Sequence, residues 1–129
     1  MNKILVEVSV GELLDKISIL EIKQDKIKDN ERLKFIKEEY NILKAELDKN
    51  VKNDENLKKL FNSLKEINSK LWVIEDDKRM CEKNKDFGEK FIKLSRDIHF
   101  LNDNRAKIKL EINNYTGSKI KEIKEYTNY

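Results

Sequence analysis

Four arginines stand among twenty-four lysines, and they are the residues most suited to selective chemistry. Asn and Ile are abundant too, as an AT-rich genome tends to supply. In such a background a position that needs only positive charge drifts to Lys. Arg32, Arg79, Arg96 and Arg105 therefore mark positions where a planar, multidentate fork can be required. Arg79 follows Glu75 by four residues and Asp76 by three, the spacings at which helical side chains meet. If the helix carrying them folds back on the next, pairing positions sum to about 170. Arg96 then comes within reach of Glu75 or Asp76. The simpler reading of Glu75, Asp76, Arg79 and Arg96 is an ion-pair clamp tying a hairpin. The functional reading is a phosphate or carboxylate site whose arginines are held by the acids.

A second set lies further along. Asn102, Arg105, Lys109 and Asn113 are three, four and four apart, so they share a helix face. Arg105 also falls in a seam filled by apolar residues before and after it. A buried arginine without a partner is costly, so it must meet acids, carbonyls or a ligand. Gln24, Asn68 and Asn102 would lie at similar height in an up-and-down bundle. They read first as a polar layer fixing register and second as a ligand-binding layer. His99, the single histidine, is four residues before Asp103, the spacing of a base and its orienting carboxylate. A structural role is the simpler reading for it. Metal binding through Glu75, Asp76, Glu82 and Asp103 is open by count, but the paired Glu-x-x-His pattern of a di-iron bundle is absent. No metal and no cofactor is expected. Cys81 reads as a small core residue. Trp72, beside the seam, reads as a lid on the core.

The elements that must position these groups are helices. There are 129 residues, no proline and three well-separated glycines. That excludes a turn-rich sandwich and a glycine-loop nucleotide fold. Ser9-Val10-Gly11-Glu12 fits a capping box, with Val8 and Leu13 at the staple positions, so a helix starts at Val10. Leu13, Ile17, Leu20 and Ile27 line one face of it, and Ile19 and Ile22 widen that face. Asp29-Asn30 offers a stop and a new cap. A second helix carries Leu33, Ile36, Tyr40, Leu43 and Leu47. Residues 49–56 read as a polar linker. A third helix carries Leu57, Leu60, Leu64, Ile67, Leu71 and Ile74, and a loop falls near 83–88. A fourth carries Phe91, Leu94, Ile98, Leu101, Ile108 and Ile112. Gly117-Ser118 reads as a stop and recap before a short helix with Ile120 and Ile123. The expectation is one all-α domain over residues 1–129. It is an antiparallel bundle of about four helices, with a short extended N-terminal arm and a short C-terminal helix. A long coiled-coil dimer is the main rival, so a homo-oligomer stays open.

Charge bounds the partners. Lys and Arg number 28 and Asp and Glu 25, alternating along the chain as on a solvated helix surface. A nucleic-acid binder concentrates its basic charge, so nucleic acid is not expected. No apolar run is long enough for a membrane span, and the N-terminus lacks a signal-peptide pattern. A cytoplasmic location is the default expectation. One cysteine rules out an internal disulfide.

Residues 9–23 (SVGELLDKISILEIK), 71–79 (LWVIEDDKR) and 94–109 (LSRDIHFLNDNRAKIK) together form a pattern, extended by Ile112-Asn113, Gly117-Ser118, Lys124-Glu125-Tyr126 and Tyr129. In these the chain resembles the bacterial and phage family called domain of unknown function 6165, over nearly its whole length. The resemblance implies an all-helical fold and no established activity. Some members lie near surface-polysaccharide genes. The family's polar signature falls here on Asp15, Lys16, Glu21, Lys23, Trp72, Glu75, Asp76, Arg79, Arg96, Asn102, Asp103, Arg105, Lys109 and Asn113. Family members commonly show Tyr where this chain has His99, which weakens a histidine mechanism, and Thr where it has Ser18. A signature this rich in charge exceeds the needs of a spacer.

Two functions follow as expectations. The first is a binding or assembly module. It recognises an anionic small molecule or a protein partner through Asp15, Lys16, Glu75, Asp76, Arg79, Arg96, Asn102, Asp103, Arg105 and Lys109. The second is a small metal-independent enzyme acting on a phosphorylated or carboxylated metabolite. The enzyme would need Arg79, Arg96 and Arg105 to converge on a pocket with few acids neutralising them.

Overall fold

The structure, a computed structural model, describes residues 3–125 and 127–129. Tyr126, one of the residues that carry the resemblance, lies outside them. Four helices follow in order: α1 (Val10–Lys26), α2 (Asn30–Asn50), α3 (Glu55–Lys83) and α4 (Glu89–Thr116). Each of the first three starts where a short polar side chain satisfies a free backbone amide. Glu12 N–H donates to Ser9 Oγ at 3.0 Å, Glu31 N–H to Asp29 at 3.2 Å, and Leu57 N–H to Asp54 at 2.9 Å. The α2–α3 linker is shorter than the polar run suggests, because Asn50 and Glu55 are helical and only 51–54 are not. Asp54 is the local reason, since its cap starts α3 at once.

Helix α1 touches each of the other three, and α2 packs on α1 alone. Helices α3 and α4 form a hairpin joined by residues 84–88. Along α1 the partners move from α4 to α3. Gly11 and Glu12 reach α4, Asp15 reaches both, and Ser18 and Glu21 reach α3. The first helix therefore crosses the hairpin diagonally, and α2 covers its outer side. Leu14 and Ile17 of α1, Leu47 of α2, Leu57 and Leu64 of α3 and Ile112 of α4 form the core. Burying each such side chain contributes about 1.5–3 kcal/mol.

This core occupies one end of the hairpin. Between residues 72 and 104 only Cys81 is buried. The far half of α3 and α4 is thus a two-helix arm with no third helix on it among the described residues; Tyr129 of the tail touches its base at His99 and Phe100. Phe87 packs edge-on against Phe91 at 5.4 Å, and the Lys78 ammonium lies 5.1 Å from the Phe91 ring centre.

One expected element does not form. Beyond Gly117 the described tail carries no helix. Gly117 takes a left-handed φ of 68°, which ends α4. Ser118 is then occupied elsewhere: its Oγ donates to the Ile120 carbonyl and accepts from Val10 N–H of α1. A segment this short gains too little from its own turns to compete with those contacts. The tail instead runs back along α4, with Glu122 on Lys109 and Tyr129 on Asp103.

Candidate functional site

The polar centre starts from the first turn of α1, which leaves four backbone N–H groups without helical partners. Three of the four find acceptors: Val10 N–H donates to Ser118 Oγ at 3.3 Å, Gly11 N–H to Asn113 Oδ1 at 2.7 Å, and Glu12 N–H to Ser9 Oγ. Leu13 N–H makes the first bond of the helical ladder, to the Ser9 carbonyl at 3.1 Å. Asn113 is in the last turn of α4 and Ser118 lies just past it, so this end of α4 lies against the α1 backbone. A Cβ on Gly11 would stand 2.5 Å from the Lys109 carbonyl oxygen. Glycine is required there by close approach, not by turn geometry.

One turn further in, Asp15 is 2% exposed. Arg105 grips it with both arms of its fork, Nε to Oδ1 at 2.9 Å and Nη2 to Oδ2 at 2.5 Å. Asn68 Nδ2 donates to the same Oδ1 at 2.9 Å and to Ser18 Oγ at 2.8 Å, and Ser18 donates to the Asp15 carbonyl. The guanidinium Nη1 also reaches Asn102 Oδ1 at 3.5 Å. Burial alone would raise the Asp15 pKa. The Arg105 and Asn68 hydrogen bonds, with the fields of Arg105 and Lys109, outweigh it and hold the carboxyl below its ordinary range. The Asp15 hydrogen bond raises Arg105 in turn, against desolvation, and Glu75 adds to that field.

Lys109 forms the second pair. It is 8% exposed, and its ammonium donates to Glu12 at 2.6 Å and to Glu122 of the tail at 2.9 Å. Burial works to lower its pKa, but the two carboxylates prevail and raise it. Glu122 is held low by Lys109 and then Lys124, which lies 3.0 Å from its other oxygen.

The structure brings Asp15, Asn102, Arg105 and Lys109 together. It does not assemble the rest. Lys16 is exposed. Glu75 is exposed, within the field of Arg105 but making no ion pair among the described residues. Asp76 and Arg79 are exposed and unpaired among them, and Arg96 lies over the Phe100 ring, 5.9 Å from its centre. The expected clamp of Glu75, Asp76, Arg79 and Arg96 therefore does not form. Lys78, not Arg79, covers the seam there, and Arg96 turns along its own helix to Phe100. Asp103 accepts from the Tyr129 hydroxyl, while His99 meets the Phe100 ring edge-on at 5.6 Å and the tilted Tyr129 ring at 5.3 Å. The His99–Asp103 pair that the spacing would allow is thereby replaced, and His99 has the structural role of the simpler reading. Gln24 stands outside the polar layer, its Nε2 buried without a partner among the described residues.

Sequence reasoning missed Glu122 and the tertiary role of Gly11. Nothing local marks Glu122, because its partner depends on the path of the tail. Gly11 carried a signal: a glycine inside a helix start costs stability and needs a reason. Among the described residues no three of His, Cys, Asp and Glu stand close enough to hold a metal ion. Both Asp15 oxygens are engaged, so this carboxylate serves as an anchor.

A family model described as a family of unknown function (DUF6165) matches residues 4–129. No curated protein and no solved structure matches the chain.

Proposed function

The chain belongs to that family of unknown function, and from its geometry we propose an assembly module that self-associates through the α3–α4 arm. The observation that carries this reading is the arm's lack of a third helix among the described residues. Val73, Met80, Phe87, Ile92 and Phe100 are all exposed on it, Phe87 at 53% and Ile92 at 54%. Ile92, Arg96 and Phe100 follow one another at four-residue spacing and so form one stripe of α4. Four of the charged residues expected at the site, Glu75, Asp76, Arg79 and Arg96, also lie on this arm.

A second copy of the chain suits this surface best. Residues 72–101 hold seven acidic side chains and seven basic ones. A surface with balanced charge has no bias toward a strongly acidic or basic partner. It can complement itself across a two-fold axis, where each contact occurs twice. Two such arms laid together supply the missing layer and give four helices around a shared seam. The polar centre at Asp15 and Arg105 then serves to hold the base from which the arm extends. The enzyme reading gains no support from the geometry, since Arg105 is neutralised by Asp15 and Arg79 and Arg96 stand on the exposed arm.

Light scattering on the eluting protein tests the proposal. The expected result is twice the 15.4 kDa chain mass at micromolar concentration. Met80→Glu with Ile92→Glu should return the protein to the single mass with its helical circular dichroism unchanged. A single mass for the unaltered protein up to about 100 µM, a range that covers typical micromolar association, would overturn the reading.

A further inference from the structure

Where the tail returns along α4 it leaves a cleft of about 380 Å³, within the range of small-molecule sites. Lys107, Lys109 and Asn113 stand on the α4 side, and Glu122, Lys124 and Tyr129 on the tail side. The cleft differs from an ordinary surface groove in one respect: Lys109, at its wall, is more than nine-tenths buried. Its ammonium has three donors. Glu12, fixed in the first turn of α1, takes one, and Glu122 takes another.

Glu122 shows what this wall binds. One of its oxygens sits 2.9 Å from the Lys109 ammonium and the other 3.0 Å from that of Lys124. A carboxylate is thus held between two cations, one buried and one on the tail. The carboxylate comes from a tail that is tied on either side of it, by Ser118 to α1 and by Tyr129 to Asp103. The tail has no helix, and Glu122 remains 41% exposed. The two ammonium groups each take one oxygen of the same carboxylate, so an unattached carboxylate that spans them fits the same place. The remaining wall, with Leu110 and Ala106 beside the Tyr129 ring, gives an apolar side to a small molecule that carries the acid.

We propose that this cleft is a binding site for a small carboxylate-bearing ligand, and that Glu122 is its resident competitor. The ligand's carboxylate replaces that of Glu122 between Lys109 and Lys124, and the tail lifts from α4 as it enters. Glu12 stays in place and keeps Lys109 charged throughout.

Malonate is the probe, followed by calorimetric titration and by hydrogen exchange of the tail amides. The unaltered protein should bind it saturably, and binding should speed exchange over residues 118–125. Glu122→Gln removes the competitor and should tighten binding about fivefold, the scale of an exposed ion pair. Lys109→Met should abolish binding. Lys124→Gln, at a surface position that leaves the core untouched, should weaken it, so the test survives if the Lys109 variant fails to fold. Inorganic phosphate run in parallel should bind more weakly than malonate. Absence of saturable malonate binding, or weaker binding by Glu122→Gln, would overturn the proposal. So would equal binding by phosphate and malonate, the mark of a site for any anion.

Discussion

A buried carboxylate holds three parts of the chain through its two oxygens. Asp15 joins α1 to Arg105 of α4 and Asn68 of α3, so its removal leaves a half-buried guanidinium without a counter-charge. Asp15→Ala should cost about 3 kcal/mol of stability, read from urea unfolding. Arg105→Lys should cost less but still more than 1 kcal/mol, because an ammonium cannot make both contacts of the fork. A double-mutant cycle separates the pair from its surroundings. Should Arg105→Lys prove neutral, the two-armed grip contributes nothing. Arg105 was legible in the sequence because it interrupts an apolar seam, and a charge in a seam demands a partner. Which acid it meets was not legible. The seam position required only acids, carbonyls or a ligand, and the structure brings Asp15 from ninety residues away. Spacing along a helix reports which residues share a face, and not which face of another helix arrives there.

Helix starts were the most readable elements. Val10 and Asn30 open α1 and α2 where Ser9 and Asp29 supply caps. The reason is local: a cap and the amide it satisfies lie within three residues. The diagonal path of α1 across the hairpin depends instead on Gly11, which lets two backbones touch. Gly11→Ala should push α1 away from Lys109 and cost about 2 kcal/mol, a typical penalty for overfilling a packed contact. The measurement is a melting temperature. An unchanged value would show that the helix end shifts freely. Gly117→Ala should cost about 1 kcal/mol for a different reason, since its φ of 68° is unfavourable for any side chain. The tail was the least readable element. Ile120 and Ile123 have helical spacing, yet Ile123 is 79% exposed, and Ser118 is drawn to α1 instead.

At the scale of the whole molecule the ion pairs set a pH window. Asp15 has a folded pKa below that of the unfolded chain, about 3.9. Its contribution is complete above that value and is lost as pH falls through the depressed folded one. Lys109 has a folded pKa above the unfolded value of about 10.4. Its contribution is complete below about pH 10 and is lost as pH rises through the raised folded value. Melting temperature should therefore be flat near neutrality, fall below about pH 4, and fall again in strong base. Asp15→Asn should flatten the acid limb. An acid limb unchanged by that substitution would assign it to other carboxylates. The all-helical class was legible from composition and spacing, because both follow from residues near one another. The one-ended core and the bare arm were not, because they depend on how steeply one helix crosses two others.

Helix α1 leaves the ribosome before the residue that neutralises its acid has been made. At about 5–20 residues per second, the ninety residues separating Asp15 from Arg105 take roughly 5–18 seconds to make. During that interval Leu14 and Ile17 have no hairpin to lie on. Helix α2, made within that interval, is the cover that α1 has until the hairpin arrives, and the dense charge of the chain opposes association of what stays bare.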